Sequence, residues 1–130
     1  MNKSDCRYNL YINILKEELV PAMGCTEPIC LAYAAAKAKN ILGEMPDRVE
    51  ILASGNIIKN VKSVIVPNTN GMKGLKASVA IGIVGGNPDK ELEVIANVSE
   101  EEKKATERFL HVSTGISMII ISSQCVTTIR

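Results

Sequence analysis

The stretch CTEPICLAYAAAKAKNILG, residues 25–43, decides the fold. From Ile29 to Ala36 it carries no charged side chain on any side. A helix that is apolar all round packs among other elements instead of lying on a surface. Its alanines let neighbours approach closely. Pro28 suits the first helical turn, where its missing N–H would be unpaired anyway. Gly43 supplies the stop after Leu42, and Lys37 and Lys39 fall in the later turns, where cations suit the helix dipole. The segment predicts a buried helix over residues 28–42.

On the N-terminal side, Ser4 is a candidate N-cap for a helix running to about Leu19. Tyr8, Tyr11, Ile12, Leu15 and Leu19 fall three or four apart on one helical face, and Pro21 ends the pattern. On the C-terminal side, Val49 to Ala53 reads as a short strand, broken by Ser54-Gly55-Asn56. Ile57 to Val61 reads as a short helix and Val64 to Val66 as a second strand stopped by Pro67. A polar loop, residues 67–74, opens onto an apolar helix from about Leu75 to Val84, closed by Gly85-Gly86. Gly82 inside that helix costs about 1 kcal/mol relative to Ala, unless a close neighbour needs the space. Residues 88–96 fit either a helix or, in part, a strand. Ser99 and Glu102 match a capping box and open a charged helix to about Arg108. Its run Glu100 to Lys104 reads as a solvated face. From His111 onward Ser, Thr, Ile and Val bring strand propensity. The fold class is α+β, helix-rich, with a few short strands between buried helices.

With 130 residues the chain has room for one ordinary domain. Hydrophobic residues are 46% and charged residues 22%, a globular and not a disordered balance. The net charge of +1 gives no electrostatic footprint for nucleic acid or an anionic membrane, and 3% aromatics leaves few platforms for base stacking. The apolar run Met118 to Ile121 is too short to span a bilayer. Neither nucleic acid nor membrane is an expected partner. Cys6, Cys25, Cys30 and Cys125 form no C-x-x-C pair, and the first residues do not resemble a secretory signal. Free thiols in the cytoplasm are the simplest reading.

Local chemistry points first to Cys25. It stands just before the start of the central helix, where unpaired N–H groups and a partial positive charge favour a thiolate. The bland alternative is a small buried residue that happens to precede a helix. Thr26 and Glu27 are ambiguous in the same way, since either can simply cap the helix. A second constellation, Ser54 to Asn60, places a glycine-containing turn after a strand, where N–H groups can meet an anion. A third, Asn68 to Gly74, gathers amides, glycines and Lys73 but lacks the spacing of a Walker loop. His111 has no acidic or thiol partner at ligand spacing and reads as a surface or capping residue. Cys30 reads as core, and neither Cys6 nor Cys125 has a supporting motif.

Taken in order, GCTEP at Gly24 to Pro28, SGNIIKN at Ser54 to Asn60 and VPNTNGMKG at Val66 to Gly74 resemble the N-terminal part of the iron–sulfur L-cysteine desulfidase family. That family is related to the alpha chain of iron–sulfur L-serine dehydratases. The resemblance runs from about Leu19 to Ala96 and more weakly to Leu110. It implies a lyase acting on a small L-amino acid, converting cysteine to pyruvate, ammonia and sulfide, or serine to pyruvate and ammonia. It further implies a 4Fe-4S cluster with Cys25 as a ligand and with Thr26 and Glu27 beside it in catalytic positions. Ser54, Asn56, Asn60, Asn68, Thr69, Gly71 and Lys73 would then form the substrate-binding wall. A homo-oligomer is compatible with this picture.

The chain is shorter than such enzymes, and the further cluster cysteines they carry have no counterpart in it. Residues 1–110 resemble the N-terminal part of the domain, whereas residues 111–130 form a tail that matches nothing in the family. The resemblance thus implies an incomplete domain, truncated or frame-shifted, and inactive alone because one thiolate does not retain a cubane. It also implies exposed, aggregation-prone surface on the helices at 29–36 and 75–84. The alternatives are a metal-free module that binds a small anion, or an inactive remnant.

Overall fold

A computed structural model describes residues 3, 5–112, 116–121 and 126–129, of which 112, 116–121 and 126–129 are described by backbone alone. Ser4 and Cys125 lie outside the described residues. The elements follow in the order α1 (Cys6–Glu18), α2 (Thr26–Leu42), β1 (Val49–Ser54), α3 (Gly55–Val61), α4 (Gly74–Gly85), a 3-10 helix (Pro88–Glu93), α5 (Glu100–Val112), β2 (Ile116–Ile121) and β3 (Val126–Ile129). The chain is helix-rich α+β, as its sequence predicts.

The pair α2 and α4 forms the middle of the molecule. Ile29, Leu31, Ala32, Ala35 and Ala36 of α2 are fully or almost fully buried, as are Val79, Ala80, Ile81 and Ile83 of α4. The apolar faces expected to be exposed on these two helices are therefore covered. On one side Leu31, Ala35, Leu75, Val79 and Ile83 meet Val49, Ile51 and Ala53 of β1 and Val61 of α3. On the other side Ile29, Ala32, Ala36, Ala77 and Ile81 meet Val66, Val94, Ile95 and Val98. Two helices with two apolar faces each explain why neither shows a one-sided pattern.

Gly82 lies where the helices touch. A Cβ added there would overlap the Ala32 carbonyl oxygen and come within 2.8 Å of its carbonyl carbon and Cα. The neighbour that needs the space of Gly82 is the backbone of α2.

The sheet has the order β2-β1-β3. β1 runs parallel to β2, with Val49 opposite Ile116 and Ser54 opposite Ile121. It runs antiparallel to β3, with Val49 opposite Ile129 and Leu52 opposite Val126. The strand propensity after His111 is thus realised as two strands flanking β1.

Three local expectations need correction, and the open choice at residues 88–96 is resolved. The N-cap of α1 is Asp5, whose carboxylate accepts the Arg7 N–H at 3.0 Å. Residues 64–66 form no strand: Ile65 makes a single antiparallel bridge to Lys73. The chain turns back at Pro67 too soon for a ladder, and the Val66 N–H donates to Met72 O while Gly74 N–H donates to Val64 O. Residues 88–93 are a 3-10 helix kinked at Glu91, whose φ is 47°. Within the run Glu100 to Lys104, Lys103 is buried and donates to Glu100 Oε1 at 2.7 Å. Its position places it on the same inner face as the buried Thr106. The capping box stands as read: Glu102 Oε2 accepts from Ser99 N–H at 2.8 Å, and Ser99 Oγ accepts from Glu102 N–H at 3.3 Å.

Candidate functional site

The first motif ends the loop before α2. Cys25 is the N-cap of that helix in extended backbone, and its side chain makes no capping hydrogen bond. The thiol is exposed and donates to Glu27 Oε2 at 3.0 Å. From α3, a separate helix, the Asn60 amide donates to Glu27 Oε1 at 3.2 Å. The Glu27 carboxylate therefore accepts from side chains of two different motifs. Cys30, one turn further on, is half-buried and its thiol donates to the Glu27 backbone carbonyl at 3.2 Å.

The third motif adjoins the first. A Cβ at Gly24 would stand 3.6 Å from Pro67 Cγ, an ordinary contact between the two loops. The third loop also reaches the end of α3, because a Cβ at Gly74 would stand 3.4 Å from the Lys62 carbonyl oxygen. Three segments far apart in sequence thus meet around the start of α2.

The electrostatics of Cys25 differ from the sequence expectation. The thiol is pushed above its ordinary value, first by its hydrogen bond to the Glu27 carboxylate and then by desolvation. A charged acceptor stabilises the S–H and repels the thiolate. That neighbour outweighs the start of the helix, so the expectation of a deprotonated sulfur is corrected. Glu27 moves the opposite way. Its carboxyl is held below the usual glutamate range by the Cys25 thiol first, with Asn60 and Thr26 also donating. The arrangement is an ionised carboxylate supported by a protonated thiol and an amide.

The other residues singled out in the sequence divide between surface and scaffold. Thr26 is exposed in the first turn of α2, and Asn56 is exposed in the first turn of α3. Ser54 is the N-cap of α3, with Oγ accepting the Ile57 N–H at 3.4 Å. Asn68, at φ 54°, donates its amide to the Ile95 and Ala96 carbonyls at 2.9 and 3.2 Å. Thr69 is buried and donates to Val66 O at 2.6 Å. Gly71 and Lys73 are exposed, and Lys73 is the N-cap residue of α4. Asn70, given no role in the sequence reading, donates to Glu100 Oε2 at 2.9 Å and ties the loop to α5. Its lone signal was membership of the polar loop. His111 is exposed in the last turn of α5, as expected of a capping residue.

Among the described residues, no three His, Cys, Asp or Glu side chains gather to hold a metal ion. No helix among them is long and apolar enough to cross a membrane.

The chain is similar to proteins named UPF0597. A UPF0597 protein of Desulfitobacterium hafniense is 53% identical over 126 residues, which is 97% of this chain and 29% of the relative. One of Treponema denticola is 56% identical over 110 residues, 85% of this chain and 26% of the relative. One of Lachnoclostridium phytofermentans is 53% identical over 103 residues, 79% and 25%. The chain thus spans less than a third of the length of these relatives. No family model matches the chain, and no solved structure matches it. The relatives' names carry neither a lyase activity nor an iron–sulfur centre. The assignment to the iron–sulfur L-cysteine desulfidase family, and with it the reading as a fragment of an iron–sulfur lyase, is corrected accordingly. Neither the anion-binding module nor the inactive remnant gains support from these relatives.

Proposed function

We propose that the surface where the three motifs meet is part of an enzyme active site in which Glu27 is the anionic group that holds the substrate. The observation that carries this reading is the doubly supported Glu27 carboxylate. It is ionised, reachable from solvent, and oriented by donors from two helices. An anionic anchor needs a fixed position to orient its ligand. The Cys25 thiol and the Asn60 amide restrict the carboxylate, while its remaining lone pairs stay open to a ligand.

The substrate class that fits is a small amino acid. Its ammonium group would find the negative charge of Glu27. Lys73, exposed on the adjoining loop, offers a positive charge to the carboxylate end. Thr26, Asn56 and Gly71 are exposed on the same three motifs and would complete the wall. Cys25, being protonated, serves here as a hydrogen-bond donor. The free thiols of Cys6 and Cys25 support a cytoplasmic setting.

A thermal-shift screen of small L-amino acids tests the proposal. A ligand that binds only the folded state raises its stability, by about 2.7 kcal/mol at a hundredfold excess over Kd. At least one small L-amino acid should raise the melting temperature of the wild type and leave Glu27→Gln unmoved. No shift with any of them, or an equal shift in the variant, would remove Glu27 from a substrate site.

A further inference from the structure

We infer that the apolar face of α1 is a docking surface for the polypeptide that makes up the unmatched length of the relatives. α1 has no buried residue. Leu10 is 58% exposed, Tyr11 47%, Ile14 45%, Leu15 50% and Leu19, just past the helix, 71%. Leu10 with Ile14, Tyr11 with Leu15, and Leu15 with Leu19 are each four residues apart, so they form one continuous stripe. Asn9, Asn13, Lys16 and Glu17 take the opposite side, and Arg7 and Glu18 bound the apolar face at its two ends. Single exposed leucines are ordinary on a protein surface, but a contiguous apolar stripe marks a contact. A helix of thirteen residues is also marginal on its own and draws its stability from packing one face.

The relatives indicate what packs there. The Desulfitobacterium hafniense protein matches 126 of the 130 residues, so α1 lies inside the shared stretch, and that stretch is 29% of the relative. The remainder of that polypeptide supplies more chain than this domain itself contains. The α2/α4 pair already has buried apolar partners on two sides. Among the described residues, α1 carries five of the nine exposed large hydrophobics, counting Leu19 at its end.

Amide hydrogen exchange on two intact proteins tests the inference: this chain at several dilute concentrations, and the full-length Desulfitobacterium hafniense relative. In this chain, α1 should exchange fast while α2 and α4 are protected. In the relative, the segment matching α1 should be protected at least about tenfold more, roughly what burying one leucine side chain supplies. Equal exchange in the two proteins would overturn the inference. So would protection of α1 that grows with the concentration of this chain, because a second copy would then be the occupant.

Discussion

Replacing Gly82 by Ala tests the packing that positions the site. Built on the observed backbone, the new Cβ overlaps the Ala32 carbonyl oxygen and sits 2.8 Å from the Ala32 carbonyl carbon and Cα. Carbon atoms settle at about 3.5–4.0 Å, so α2 and α4 must part by roughly 1 Å at their contact. The obstructing atoms are all backbone, so no side-chain rotation relieves the clash. Overpacking costs about 1–3 kcal/mol, and helix propensity returns about 1 kcal/mol. Because the obstacle is rigid, the upper end applies, and the net loss is about 2 kcal/mol. For a domain of this size each kcal/mol moves Tm by roughly 3–5 °C, so Gly82→Ala should melt about 6–10 °C lower. Gly85→Ala is the comparison: its Cβ would meet Val98 methyls at 3.1 and 3.2 Å and Glu102 Cβ at 3.3 Å. These contacts are longer, none is to backbone, and each asks for a shift of only a few tenths of an ångström, so this variant should lose less. Thermal unfolding followed by circular dichroism measures both. A Gly82→Ala protein that melts at or above the wild type would mean that helix propensity dominates and that the close approach of α2 and α4 is wrong.

Three other outcomes follow from particular contacts. Glu27→Gln removes the charge that raises the Cys25 thiol, so iodoacetamide should alkylate Cys25 faster at mildly alkaline pH. Mass spectrometry with the exposed Cys6 as internal reference measures this; an unchanged ratio would contradict the assigned cause. Asn68→Ala leaves the Ile95 and Ala96 carbonyls without their donor and places Ala at φ 54°, for a loss of about 1–3 kcal/mol in urea unfolding. Asn68→Gly should recover only the backbone part; full recovery would show that the two hydrogen bonds contribute nothing. Glu100 is held below the usual glutamate range by Lys103 first and then Asn70. A lowered folded value gives stability that is complete above the ordinary glutamate pKa of about 4.3 and is lost as pH falls through the folded value. Glu100→Gln should therefore flatten the loss of stability on acidification, and an identical acid limb in the two proteins would refute the link.

The helices were legible wherever composition and punctuation agreed. Pro28 and Gly43 bracket α2, and Gly85-Gly86 closes α4, because these residues act locally. Ser99 and Glu102 act through a box four residues long, so the start of α5 was also readable. Residues 64–66 were not, because three β-prone side chains say nothing about a partner strand; the return of the chain after Pro67 decides that. Lys103 was read as solvated because charge is visible in sequence and the inner face of an isolated helix is not. Gly82 stayed conditional until the Ala32 backbone appeared opposite it.

The site divides in the same way. The three motifs announce themselves by residue type, and the fold brings them to one place. Their contacts were not readable. The pairing of Glu27 with Asn60 spans two helices, and the Glu27 carboxylate itself raises the Cys25 thiol against the local helix-start argument. The inward roles of Asn68 and Thr69 depend on where residues 95 and 96 pass, which no local pattern records.

Whether the three motifs form one ligand site organised by Glu27 is open to direct measurement. Amide NMR of the labelled chain, titrated with the amino acid that stabilises it most, tests this directly. Signals of Cys25, Glu27, Asn60 and Gly71 should move together along one binding curve, and Glu27→Gln should abolish all four movements. Shifts confined to a single motif, or a full set of shifts surviving in Glu27→Gln, would contradict a single site organised by Glu27.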